Sequence, residues 1–281
     1  MMPHRRLPPP SGTPGTPGTP GTPARRRRRG LFAALGAVGL VAAVTGCGGD
    51  AGDDETPERR AFSFGSGGGG GGEVLKIDAE NTSVELVPAD VEDVRVTRWF
   101  SGWSAIGGDV EEFWTMEKGT LRIGVRCEGL IDNCESRHRV EVPRDVAVTV
   151  DGDNGNVTAT GFSTALKLSS GNGSVRVEDA RGRLELKSDN GKVKATGVTA
   201  GRVSAEADNG AVELGFARVP DRVDVNTDNG AVSIGLPRAS YRVDAKAGNG
   251  DTDVTVPRDT ESKHRITVRS DNGGITVRTA E

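Results

Sequence analysis

Residues 186–195 read LKSDNGKVKA, and their centre, Asp189-Asn190-Gly191, keeps returning along the chain. Asn-Gly pairs begin at Asn154, Asn172, Asn190, Asn209, Asn229, Asn249 and Asn272, separated by 18, 18, 19, 20, 20 and 23 residues. A recurring unit of this length marks a stacked or repeated β architecture.

Aligning the copies on Asn shows why. Six residues earlier stand Val148, Leu166, Leu184, Val203, Val223, Val243 and Ile266, and four earlier Val150, Leu168, Leu186, Ala205, Val225, Ala245 and Val268. Two earlier every residue is small: Gly152, Ser170, Ser188, Ala207, Thr227, Ala247 and Ser270. Beyond the turn, Val157, Val175, Val193, Val212, Val232, Thr252 and Ile275 restart the alternation. Period-two patterning on both sides of a turn means two half-buried strands per unit. LKIDAENTSVEL, residues 75–86, keeps the same phase and makes an eighth, degenerate copy around Asn81.

Two all-β folds satisfy this pattern. Asn-Gly between alternating strands is a strong hairpin signal and would give an antiparallel meander or sandwich. Alternatively each unit is one coil of about 18–20 residues in a right-handed β-solenoid, whose equivalent strands pair between successive coils. The solenoid is favoured. Asn is in phase with the apolar positions before it, so it is expected to point inward and stack on its copies as a hydrogen-bonded amide ladder. Glycine after it is expected to supply a positive φ. A second corner is signalled by Pro88, Pro143, Pro220, Pro237 and Pro257, each just after an apolar strand end.

The chain around the repeats divides by composition. Residues 1–46 begin with a Pro/Thr/Gly-rich extension, followed by Arg25 to Arg29 and a 14-residue apolar run, Leu31–Val44. That run is too short to span a bilayer and suits a signal peptide. It ends in Val44-Thr45-Gly46-Cys47, which resembles a bacterial lipobox, so Cys47 is expected to carry lipid and anchor the protein to the extracytoplasmic face of the cell membrane. RRGLF at 28–32 keeps twin-arginine export open beside the general route. Residues 47–72 read as a flexible Gly-rich tether with a reach of about 25–30 Å. The folded part spans 73–281, with an irregular Trp-containing segment at 91–143 and regular repeats over 148–281.

Charge narrows the partners. Seven of the 36 basic residues, and none of the 40 acidic ones, lie in the first 46 positions, so residues 47–281 carry 29 basic against 40 acidic groups, a net −11. Nucleic acid and anionic surfaces are poor partners for such a chain. Membrane attachment is therefore assigned to lipid at Cys47. A cell-wall glycan or an envelope protein remains as the soluble partner.

No nucleophile setting, P-loop, dinucleotide fingerprint or zinc signature is present, so neither catalysis nor a cofactor is expected. Asp153, Asp189, Asp208, Asp228 and Asp271 precede the repeated Asn, but Gly171 and Gly248 break the row, and Asp favours turns anyway. No metal is expected. Cys127 and Cys134, within CEGLIDNC in an exported domain, are expected to form a local disulfide. Trp99, Trp103 and Trp114 either cap the solenoid or make a ligand platform with nearby acids.

The repeated V-x-V-x-x-x-N-G-x-V-x-V strands, led in by VEVPRDVAVTV at 140–150, resemble a bacterial family of β-strand-repeat domains known only as candidate adhesins of unknown function. The resemblance covers about 73–281, most strongly 138–281. It implies a surface-displayed β-helical module acting by binding, and it brings no catalytic residue. Two alternatives stand beside it. One is an envelope-stress sensor working through a membrane protein, and the other is a carbohydrate-active β-helix enzyme.

Overall fold

The computed structural model describes residues 56–64, 74–105, 108–129 and 131–280, without the side chains of 103–105 and 131–133. The leader, Cys47 and much of the tether lie outside the described residues. Among the described residues all regular structure is β. The chain runs through β1 (Glu58–Phe62), β2 (Val74–Glu80), β3 (Ser83–Ala89), β4 (Val94–Ala105), β5 (Val110–Glu117), β6 (Thr120–Cys127) and β7 (Ile131–Pro143). Seven strand pairs follow. The first four are β8 (Ala147–Asn154) with β9 (Val157–Thr160), β10 (Leu166–Asn172) with β11 (Val175–Glu178), β12 (Leu184–Ser188) with β13 (Val193–Val198), and β14 (Arg202–Asn209) with β15 (Val212–Phe216). The last three are β16 (Arg222–Asn229) with β17 (Val232–Leu236), β18 (Arg242–Asn249) with β19 (Thr252–Val254), and β20 (Arg265–Asn272) with β21 (Ile275–Thr279).

Each pair is one coil, and its two strands go to different sheets. The first sheet has the order β1-β4-β7-β3-β9-β11-β13-β15-β17-β21-β19, and the second β18-β20-β16-β14-β12-β10-β8-β2-β6-β5. Equivalent residues face one another in parallel register, as in Leu166↔Leu184, Leu168↔Leu186 and Val175↔Val193. This is the coil stack expected from the sequence, and the antiparallel meander is excluded. The aliphatic columns point between the sheets, and Val148, Val150, Leu166, Leu168, Leu184, Leu186, Val203 and Val223 are buried there. Small aliphatic side chains suffice because parallel strands fix one repeat distance along every column.

Both chain ends depart from simple winding. β20 and β21 slot between the coil of β16/β17 and the coil of β18/β19, so the last coil in sequence is next to last in space. At the other end β6 and β7 lie outside β2 and β3, which places the first coil inside the second. Each terminal coil is therefore paired on both sides, which protects it from fraying.

The segment expected to be irregular is more ordered than its sequence suggests. Residues 120–143 form a coil, with Leu121 opposite Ile77 and Val140 opposite Leu86. β4 and β5 then extend the two sheets antiparallel to β7 and β6. The tether also needs correction, because β1 pairs antiparallel with β4 and Phe62 is buried in the core. Apolar area at Phe62 and Phe64 holds this stretch down, where a Gly-rich coil would stay free.

The disulfide is present between Cys127 and Cys134 and closes the excursion from β6 to β7. Replacing both cysteines with serine is expected to remove about 2 kcal/mol by releasing a short loop in the unfolded chain, measured as a lowered stability in urea denaturation.

Candidate ligand-binding surfaces

The repeated Asn residues form the ladder, but on the outside. All seven are exposed at the corner where each coil passes between sheets, not inward as their phase suggested. Each Nδ2 donates to the Oδ1 of its neighbour. The run passes from Asn249 to Asn272, Asn229, Asn209, Asn190, Asn172, Asn154 and Asn81, at 2.7–3.1 Å. Asn81 ends it by donating to the Val125 carbonyl at 3.2 Å. The inward–outward alternation ends at the small residue two positions earlier, after which two successive residues, the second of them Asn, lie outside the core.

Beneath the ladder runs a second column that the sequence did not announce. Ser170, Ser188, Thr227 and Ser270 are buried two positions before Asn. Their hydroxyls donate to the carbonyls of Gly155, Gly173, Gly210 and Gly230, at 2.8–3.2 Å. These groups satisfy corner carbonyls that the ladder leaves unpaired. Glycine at the corner also has a different reason from the one expected. Only Gly155, Gly250 and Gly273 of the Asn-Gly glycines have positive φ. At Gly173, Gly191, Gly210 and Gly230 a Cβ would lie 2.0–2.3 Å from the carbonyl oxygen of the glycine one coil below. Asn190→Ala, which breaks two of the amide bonds at mid-stack, is expected to lose about 1–2 kcal/mol in urea denaturation.

The tryptophans separate. Trp114 lies on the inward side of β5 and packs edge-on against Phe62, with ring centroids 6.2 Å apart. The Arg98 guanidinium lies 4.5 Å over the Trp114 ring and pairs with Glu58 at 2.6 Å and Glu112 at 2.7 Å. One side chain thus ties β1, β4 and β5 together, which makes Trp114 part of a cap. Trp99 sits on the outward side of β4, half-exposed, with Arg137 from β7 4.7 Å over its ring. The Trp103 side chain lies outside the described residues. Trp99 and Trp114 share no surface, so the three do not assemble into one platform.

Behind Arg98 lies a buried polar group. His138, opposite Arg98 in the β4–β7 register, is fully buried. Its Nδ1 lies 2.9 Å from Thr82 Oγ1, which itself donates to the Ser136 carbonyl at 2.9 Å. With the Thr82 proton committed to that carbonyl, the imidazole carries its proton on Nδ1 and donates it to Thr82. Nε2 has no partner among the described residues. Burial, with the nearby Arg98 charge, pushes the His138 pKa down to about 4. Its signal in the sequence is a polar residue on the inward phase of a strand, visible only once 120–143 is recognised as a coil.

The outer face of the second sheet holds a shallow groove of about 540 Å³ across β8, β10, β12 and β14. Its charges are interleaved. Glu185 is paired by Arg183 at 2.7 Å and by Lys167 at 3.9 Å, and Lys187 lies 3.4 Å from Glu206 and 3.5 Å from Asp189. The Lys187 pKa is raised, first by the Glu206 charge. Such a face offers ion pairs and hydrogen bonds to an extended ligand. Among the described residues no three of His, Cys, Asp and Glu are grouped as metal ligands.

No curated protein matches the chain. Among solved structures, it is similar to a candidate cell-adhesion protein of Clostridium sporogenes, with 11% identity, 80% of this chain and 100% of the other covered, and a TM-score of 0.33. It is also similar to a candidate adhesin of Parabacteroides merdae, with 11% identity, 81% and 98% coverage, and a TM-score of 0.29. A candidate adhesin of Parabacteroides distasonis gives 10% identity, 81% and 98% coverage, and a TM-score of 0.29. Residues 142–280, the regular coils and the strand end leading into them, match the family model Toastrack DUF4097.

Proposed function

We propose that this protein is a non-catalytic, adhesin-like binding module held on the outer face of a bacterial membrane by lipid at Cys47. The observation that carries this reading is the coil stack itself. Among the described residues nine coils present two continuous faces of regularly spaced polar groups, and in the groove across β8, β10, β12 and β14 acids and bases alternate. A repeating, rigid, half-open surface suits an extended partner better than a small substrate, which needs an enclosed apolar pocket. The Toastrack match supports the same reading. So does the leader sequence, whose basic, apolar and small-residue-Cys order is that of an exported, lipid-anchored protein.

The test has two parts. Labelling with radioactive palmitate should mark the membrane-bound protein, and Cys47→Ala should abolish both label and membrane retention. Titration with wall polysaccharide and peptidoglycan fragments should give a saturable change in tryptophan fluorescence that Trp99→Ala removes. Hydrolysis of those fragments by the wild type, lost on replacing Glu185 or Glu206, would instead make the groove an active site.

A further inference from the structure

The corner opposite the Asn ladder is basic. Arg183, Arg202, Arg222, Arg242 and Arg265 each stand seven residues before the ladder Asn of their own coil. The strand order β12-β14-β16-β20-β18 makes them contiguous in space. Arg202 faces Arg222, Arg222 faces Arg265, and Arg265 faces Arg242, while Arg183 directly precedes Leu184, the partner of Val203. The intercalated last coil completes the row, since without it Arg242 and Arg222 would have a strand-wide gap between them if β18 kept its place. All five side chains are exposed. At about 4.8 Å per strand the row is roughly 19 Å long.

Only two of these cations are neutralised. Arg183 pairs with Glu185 at 2.7 Å and Arg222 with Asp224 at 2.6 Å, whereas Arg202, Arg242 and Arg265 have no ion-pair partner among the described residues. The loops at this corner add more positive charge. Over 179–183, 199–202, 217–222, 237–242 and 255–265, ten basic residues, the five of the row included, meet four acidic ones. The Asp row beside the ladder lies six residues away along each strand, about 20 Å, beyond the screening length of about 8 Å at physiological salt. The positive edge is therefore felt locally although the chain is acidic as a whole. A groove of about 370 Å³ runs along it, lined by Arg183, Arg202, Arg222, Ser204 and Asp224.

Like charges directly opposite one another in a sheet are destabilising. Thr or Ser would satisfy the fold at these positions without that repulsion. Guanidinium groups bind phosphate through two parallel hydrogen bonds, and a row of them matches anions that recur in one dimension. We propose that the arginine row binds a linear polyphosphodiester chain lying along the stack, across the strands. The proposal deepens the binding-module reading and rests on it, by naming the chemical class of one partner and the edge that holds it. A duplex nucleic acid fits less well, because its second strand would be carried over the mixed face towards the Asp row.

The probe is long-chain inorganic polyphosphate, titrated against the full-length protein at several salt concentrations. Wild type should bind with an affinity that falls steeply with salt. The triple variant Arg202→Gln, Arg242→Gln, Arg265→Gln should bind at least tenfold more weakly, with a salt slope smaller by about 2, at about 0.7 per phosphate contact. Asp208→Asn with Asp228→Asn, on the opposite edge, should leave the affinity unchanged or slightly higher. Arg202→Thr separates a binding role from a structural one, and should raise the melting temperature while weakening binding. Unchanged affinity in the triple variant would overturn the proposal, as would a lowered melting temperature in Arg202→Thr. Orthophosphate competing equally at the same phosphorus concentration would reduce the row to a simple ion site. Binding to phosphatidylglycerol vesicles without binding to polyphosphate would assign the row to a membrane surface instead. Polyphosphate failing while neutral wall glycan still binds at Trp99 would sink this inference alone and leave the binding-module reading standing.

Discussion

Gly210→Ala is expected to destabilise the protein by about 3–5 kcal/mol, among the largest effects a single methyl can have here. A Cβ at Gly210 would sit 2.0 Å from the Gly191 carbonyl oxygen, and that oxygen belongs to backbone held in register by the coils on either side. The clash cannot be relieved by rotating a side chain, so a coil must move. Moving it disturbs the Asn190–Asn209–Asn229 bonds and the Thr227 hydroxyl bond to the Gly210 carbonyl. Gly215→Ala is the control. It lies on β15, where the nearest atom to a new Cβ is 3.8 Å away, and substitution there should be neutral or mildly stabilising. Chemical denaturation of both variants, compared at equal slope, checks the pair. Equal effects would show that the glycine column is not a close-packed seam.

The second large effect is acid sensitivity centred on His138. Its pKa in the folded protein is about 4 against 6.5 unperturbed, so between these values the unfolded chain binds the proton and the native protein does not. Stability is therefore full above about pH 6.5 and falls as the pH drops towards 4, by about 3 kcal/mol in all. Glu80 and Glu213, whose pKa values are lowered by Arg126 and by Lys192, lose their contributions only at more acid pH, below the usual carboxylate range. The window from 6.5 to about 4.5 thus isolates the histidine. His138→Gln can still donate to Thr82 and stays neutral, and should flatten the stability profile there whatever its effect at pH 7. A slope that survives the substitution would place the acid sensitivity elsewhere.

What could be read from the sequence follows from what repeats. The parallel register, the two strands of each regular coil and the eighth copy at Asn81 were all legible, because equivalent residues stack on equivalent residues and the apolar columns repeat with them. The direction of the Asn side chain was not, since strand phase does not say where the strand stops and the corner begins. Nor was the coil at 120–143 visible. It replaces Asn with Val125 at the ladder position, puts Ser136 and His138 on the inward phase, and carries an excursion closed by the disulfide. β1 was hidden by its setting, because two phenylalanines beside a glycine run look like linker until β4 and Trp114 provide a surface for them. The arginine row needed the spatial order. In sequence Arg242 precedes Arg265, and only the intercalated last coil shows that Arg265 lies between Arg222 and Arg242.

The coil stack is tested most directly by one distance. Asp151 on β8 and Lys246 on β18 occupy the same position in their coils, three residues before Asn, and project outward. With spin labels at these two sites, the strand order β8-β10-β12-β14-β16-β20-β18 places them six strands apart, about 29 Å between backbones. A single population near that distance is the expected result. A population near 48 Å, the ten strand steps of a continuous meander, or one below about 20 Å, would contradict the stacked coils, and with them both the ladder and the arginine row.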